Sequence, residues 1–243
     1  MEGEKTEMTK KNIRISTFIF LILLFSTCSF QVAYSTPEEI ISESVDVLRE
    51  MSSAEDSEAF AMLLKNAKGV AIFPSIIKIG WGIGGQYGKG ILLRKNSSTG
   101  IWYGPAFIKI KSLSIGPQIG IQSIALVLVI ANERGIEGFM EDNLTLGGSI
   151  SIAAGPLGRS LSADTDYKFT TSIYSYSISK GAFIGASLQG STIQEDELSN
   201  KEFYGKVISN REILETKIPI NLEVIKLLFL INKINMTTFN ILR

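Results

Sequence analysis

Two short patterns in the chain carry the formal signature of a reaction. Gly80, Gly82 and Gly85, within GWGIGGQYGKG at 80 to 90, meet the G-x-G-x-x-G spacing of a dinucleotide fingerprint. Ser75-Ile76-Ile77-Lys78 and Ser177-Ile178-Ser179-Lys180 both read S-x-x-K, a pattern in which a lysine assists a serine nucleophile in acyl transfer. Neither pattern has the context its chemistry needs. A phosphate cradle requires a helix to start directly after the glycines, so that free N–H groups face the anion. Here Ile91-Leu92-Leu93 follow, another strand pattern, so the glycines read as bulges, sharp coiling and close approach of a second backbone. The S-D-N and K-T-G companions of the serine pattern do not occur in the chain, and the helix it needs is missing. The chain has no histidine, which removes Ser-His-Asp and Cys-His catalysis, the usual zinc sites and haem ligation. Cys28 is the one cysteine and lies in an apolar leader. These residues point to a protein that catalyses nothing and needs no cofactor or metal.

Charge gives the next class of candidate. The 24 basic and 24 acidic residues balance, so nucleic acid is a poor partner. Lys78, Lys89, Arg94, Lys95, Lys109 and Lys111 nevertheless cluster in sequence. Lys109 and Lys111 share a face if 106 to 111 is a strand. Two readings stand: a solvated strand face, or a patch for an anionic membrane. Such a patch gains on the order of 1 kcal/mol per basic residue near the surface. Trp81, Trp102 and Tyr103 fit that interface, although Trp81 also suits buried packing.

The elements that position these residues follow from the pattern. Lys10, Lys11 and Arg14 precede an apolar run at 15 to 30, and Ala33-Tyr34-Ser35 follows. That anatomy is a secretory signal over 1–35, with retention as an anchor the alternative. Cys28 is an imperfect lipidation site, since Phe25-Ser26-Thr27 precedes it. Export to the periplasm or cell envelope is therefore expected. Thr36-Pro37-Glu38-Glu39 is a helix start, predicting helix from 37 that breaks near Met51-Ser52-Ser53 and resumes at about 56 to 67. From Gly69 the chain turns β-branched, aromatic and often alternating, through VAIFP, IIKIGWGIGGQYGKGILLR, IWYGPAFIKI, LSIGPQIGI and IALVLVI. KNSSTG at 95 to 100 reads as a hairpin loop and NERGIEGFME at 132 to 141 as a helix capped by Asn132. Strand patterns resume to Ser191, and 195 to 215 reads as loop and helix. Tight turns without helical crossovers predict an α+β fold. It has a mainly antiparallel, barrel- or sandwich-like core, N-terminal helices and short helices on the C-terminal side. The apolar tail 216–243, with VIKLLFLI at 224 to 231, is too short an apolar run to span a bilayer; it either docks on the protein or lies in a membrane interface.

Several motifs occur together and in order: AKGVAIFP, GWGIGGQYGKGILLR, WYGPAFI, QIGIQS, LVLVIANERG, AAGPLGR, DTD and YSYSISKGAFIGASLQGS, between about Ile40 and Lys206. They resemble the SYLF domain and assign it to 36–215. The resemblance implies a non-enzymatic lipid-binding module. Its eukaryotic members bind phosphoinositide membranes and some bind actin filaments, while its bacterial members are envelope proteins behind a signal peptide. The expected partner is thus anionic phospholipid or a membrane surface, with a protein partner as the alternative. Asn132, Glu133, Arg134, Arg159, Asp164, Asp166 and Lys180 then have two readings. They are either caps and ion pairs, or a polar rim in which Arg134 or Arg159 grips a lipid phosphate at two points. Ile178, Gln189 and Pro117 depart from the family pattern and bear on the surface that would meet lipid.

Overall fold

A computed structural model of the chain describes residues 35–54, 57–141, 143–155, 171–179, 182–184 and 188–241. The leader with Cys28, and Arg159, Asp164, Asp166 and Lys180, lie outside the described residues.

Helices α1 (Pro37–Ser53) and α2 (Ser57–Asn66) open the domain. Thr36 Oγ1 accepts the Glu39 N–H at 3.3 Å, and Glu39 Oε2 accepts the Thr36 N–H at 2.9 Å. This reciprocal cap with Pro37 in the first turn fixes the start of α1. Ile40, Ile41, Leu48 and Met51 form the buried stripe of α1, and Phe60, Leu63 and Leu64 that of α2.

The strand-like stretches that follow are two very long strands, β1 (Gly69–Lys95) and β2 (Trp102–Ile130). The predicted loop joins them, and the Asn96 side chain accepts the N–H groups of Ser98 and Thr99. They pair antiparallel along their length, from Lys95 opposite Trp102 to Gly69 opposite Ile130. Between the pairs Trp81–Ile119 and Ile83–Ile115 the register shifts, so Gly116, Pro117 and Gln118 stand against Gly82 alone. The bulge absorbs Pro117, which has no N–H for a regular ladder.

This ribbon doubles back on itself, and the glycines allow it. The Lys95 N–H donates to the Lys68 carbonyl at 2.8 Å, closing the two ends of β1 together. A Cβ at Gly90 would stand 2.2 Å from the Ile72 carbonyl oxygen, and one at Gly88 2.7 Å from that of Ser75. Close approach by another backbone is thus what these two glycines serve, and the second backbone is the first half of the same strand.

Helix α3 (Glu133–Phe139) follows, with the Asn132 side chain accepting the Gly135 N–H at 3.0 Å. Five short strands complete one seven-stranded sheet: β3 (Asn143–Thr145), β4 (Ile152–Ala154), β5 (Ile173–Ser179), β6 (Ala182–Ile184) and β7 (Thr192–Glu195). β5 extends the far half of β2 and β7 its near half. All named pairings are antiparallel except β4 on β5. The fold is α+β around a curled, mainly antiparallel sheet, as expected. Helices α4 (Glu197–Tyr204), α5 (Asn210–Thr216) and α6 (Leu222–Ile241) end the chain.

Both faces of the sheet are covered. On one, α1, α2 and α6 pack over Val70, Ile91, Phe107 and Val127. On the other, α3 and α5 bring Ile136, Phe139, Ile213 and Leu214 onto Phe73, Ile108, Ile110 and Leu126. The apolar tail is part of this arrangement. Val224, Leu227, Ile231 and Ile234 of α6 are buried in the same cluster as Ile40, Leu48, Phe60 and Leu64.

Candidate functional site

Where the helices stop, the ribbon continues. Along residues 77 to 87 of β1 and 111 to 123 of β2 one face of the pairing is left uncovered and its apolar side chains meet solvent, while on the other face Gln86 is buried and donates to Ser191 Oγ at 2.7 Å. Leu113 is 90% exposed, Ile121 72%, Ile83 70% and Ile79 51%. Ile77 and Tyr87 are exposed as well. Residues directly opposite in an antiparallel pair share a face, and alternate residues along a strand do too. Ile79 faces Ile121, Gly85 faces Leu113 and Tyr87 faces Lys111, so the six exposed apolar residues belong to one face. It continues the face that α1, α2 and α6 cover further along, because Ile91 and Phe107 follow in the same alternation. The opposite face carries Lys78 opposite Gln122 and Gly80 opposite Gly120.

The basic residues divide into two groups. Lys109 and Lys111 do share a face, and it is the apolar one. Lys111 lies across from Tyr87 and Lys109 across from Lys89. Two neighbouring ammonium groups need a counter-charge, and Asp196 supplies it. Lys89 Nζ lies 2.9 Å from Asp196 Oδ2 and donates to Ser199 Oγ at 3.2 Å, while Ser199 donates to the same carboxylate oxygen at 2.7 Å. Burial alone would raise the Asp196 carboxyl. Hydrogen bonds from Lys89 and Ser199 and the charges of Lys89 and Lys109 outweigh it and hold the carboxyl below its ordinary value. Asp196 stands at the start of α4 but makes no side-chain cap there, since its oxygen is taken. Lys89 is therefore bound within the fold, whereas Lys111 is exposed.

The second group sits at the other end of the ribbon. Arg94 Nη2 lies 3.8 Å from Glu133 Oε2, and Ser97 Oγ donates to Glu133 Oε1 at 2.8 Å, so the hairpin loop is tied to α3. Lys95 Nζ lies 5.9 Å from the centroid of the Trp102 ring, which is buried. Arg134 is exposed on α3. About 25 Å of strand, at the usual rise per residue, separates this end from Lys111 along β2. Lys78 lies on the ribbon apart from both, and partial burial lowers its pKa. Arg159 and Lys180 are outside the described residues.

The amphipathic ribbon itself escaped the motif reading. The signal was present as charge asymmetry: between Glu58 and Glu133 the chain has eight basic residues and no acidic one, though the whole chain is neutral. Ser177, the serine of the second S-x-x-K, is buried in β5. Among the described residues no three His, Cys, Asp or Glu side chains gather where they could hold a metal ion. Among them, too, no helix is long and apolar enough to cross a membrane.

Residues 111–234 match the family model "Ysc84: Las17-binding protein actin regulator". The chain is 36% identical over 160 residues to SH3 domain-containing YSC84-like protein 1 of Rattus norvegicus, an overlap that covers 65% of this chain and 46% of that protein. The protein of the same name from Xenopus laevis is 38% identical over 145 residues, covering 59% of this chain and 43% of the relative. Protein YSC84 of Saccharomyces cerevisiae is 33% identical over 161 residues, covering 65% and 34%. The chain spans less than half the length of these curated relatives.

Proposed function

Since the chain belongs to the Ysc84 family, whose description is that of Las17-binding actin regulators, we propose that it is a non-enzymatic binding protein whose ligand is an anionic phospholipid surface. The observation that carries this reading is the ribbon: an exposed apolar face with Lys109 and Lys111 at one end, in a stretch without a single acid. A protein surface that large and apolar is uncommon unless something covers it. Basic side chains beside it favour an anionic partner, at about 1 kcal/mol each near a charged membrane. An export signal over 1–35 would deliver the domain to envelope membranes, which N-terminal sequencing of the exported protein tests.

Flotation with neutral and anionic vesicles tests the ligand. Capture on anionic vesicles alone is expected, and failure on both by folded protein rejects the reading. The family description favours a second reading, in which the same surface holds a protein partner of the cytoskeletal-regulator kind. Retention of a defined partner in detergent, with no vesicle binding, would decide for it.

A further inference from the structure

Electrostatic attraction through lysines would leave the apolar face of the ribbon in water. We propose that the ribbon lies in the membrane interface with that face among the acyl chains, the exposed Lys111 meeting the lipid phosphates beside it. This rests on the phospholipid reading and adds the depth and the element.

The ribbon has the period-two amphipathicity that such a position requires. Ile77, Ile79, Ile83, Tyr87, Leu113 and Ile121 are exposed on one side. The other side carries Lys78, Gln122 and glycines, and near its end Gln86 is buried against Ser191. Backbone pairing along 77–87 and 111–123 satisfies the polar groups between the two strands, which lowers the cost of leaving water. The strands run about 30 Å at the usual rise, long enough to lie flat along a surface rather than touch it at a point. A second copy of the chain is a poorer occupant. A two-fold pairing of this face on itself would press Lys111 against apolar residues or another lysine, because no acid is present on the ribbon to receive it. Acyl chains beneath and phosphates at the rim satisfy both parts of the face together.

The chain's two tryptophans provide the reporter. Trp81 stands on the ribbon opposite Ile119, and Trp102 is buried under the helices. Full-length protein is mixed with anionic vesicles whose lipids are brominated on the acyl chains, which quench nearby indoles. Loss of emission in the wild type, absent in Trp81→Phe, is expected. The pair Ile79→Asp with Ile121→Asp, checked for folding by circular dichroism, is expected to abolish quenching and weaken vesicle binding more than about tenfold, since each isoleucine is worth at least that factor when buried. Ile79→Leu with Ile121→Leu should keep both. Flotation without quenching, or equal affinity of the aspartate pair, overturns insertion and leaves surface binding intact. No flotation at all removes the phospholipid reading and insertion together. A wild-type dimer that the aspartate pair dissociates, with no quenching, assigns the face to a second copy and overturns the proposal.

Discussion

At Gly90 the backbone of β1 passes so near its own first half that a methyl group has no room. The obstacle is the Ile72 carbonyl, which belongs to a paired strand and cannot rotate away. Gly90→Ala should therefore lower stability by roughly 1–3 kcal/mol or more, the usual range for overpacking. At Gly85 the nearest atom to an added Cβ is 3.6 Å away, so Gly85→Ala should be close to neutral; urea midpoints of the two variants check the contrast. Asp196 gives a second residue-scale expectation. Its carboxyl is held below the ordinary value near 3.8 in the folded state, so the fold takes stability from the ionised form. That contribution is complete above the unfolded value and is lost as pH falls through the lower folded one. Acid titration of stability should thus show a decline below about pH 4 that Asp196→Asn lacks. At neutral pH the same variant should be less stable by about 3 kcal/mol, because it removes one charge of a mostly enclosed ion pair.

At the scale of elements, α6 is structural. It buries Val224, Leu227, Ile231 and Ile234 against α1 and α2. Four side chains at roughly 1.5–3 kcal/mol each rival the whole stability of a domain. Deleting 222–243 should abolish cooperative thermal unfolding, as calorimetry would show. What the sequence made legible follows the same division of local from distant. The helix caps at Thr36 and Asn132 were readable because each involves residues three apart. The strand character of 69 to 130 was readable from alternation, and so was the hairpin turn. The continuity of two long strands was not, since glycine-rich stretches resemble breaks until the opposite strand is known. Lys89 read as a free surface cation because its partners on α4 lie far along the chain, its bond to Ser199 spanning 110 positions. VIKLLFLI stayed ambiguous between docking and membrane for the same reason: its partners are the first helices.

On the scale of the molecule, charge is distributed by region rather than in sum. No acid stands between Glu58 and Glu133, so the ribbon and its hairpin carry only positive charge. A neutral protein can thus present a cationic side to a membrane. Lys109→Glu with Lys111→Glu should weaken capture on anionic vesicles and reverse the benefit of low salt, because screening lengths near 10 Å at 0.1 M cover such contacts. Flotation across a salt series measures it, and an unchanged salt profile would place those lysines away from lipid.

The ribbon's continuity also bears on how the chain assembles. The turn at 96 to 101 closes a very short loop, and every later pair of β1 with β2 can then form next to one already made, with little further loop entropy to overcome. A zipper started at that turn passes the solvent-facing stretch around Ile79 and Ile121 on its way to the partners at Gly69 and Ile130. The part of the protein that looks most dispensable to the finished fold is thus also the stretch that joins the two ends of the sheet in one unbroken ladder.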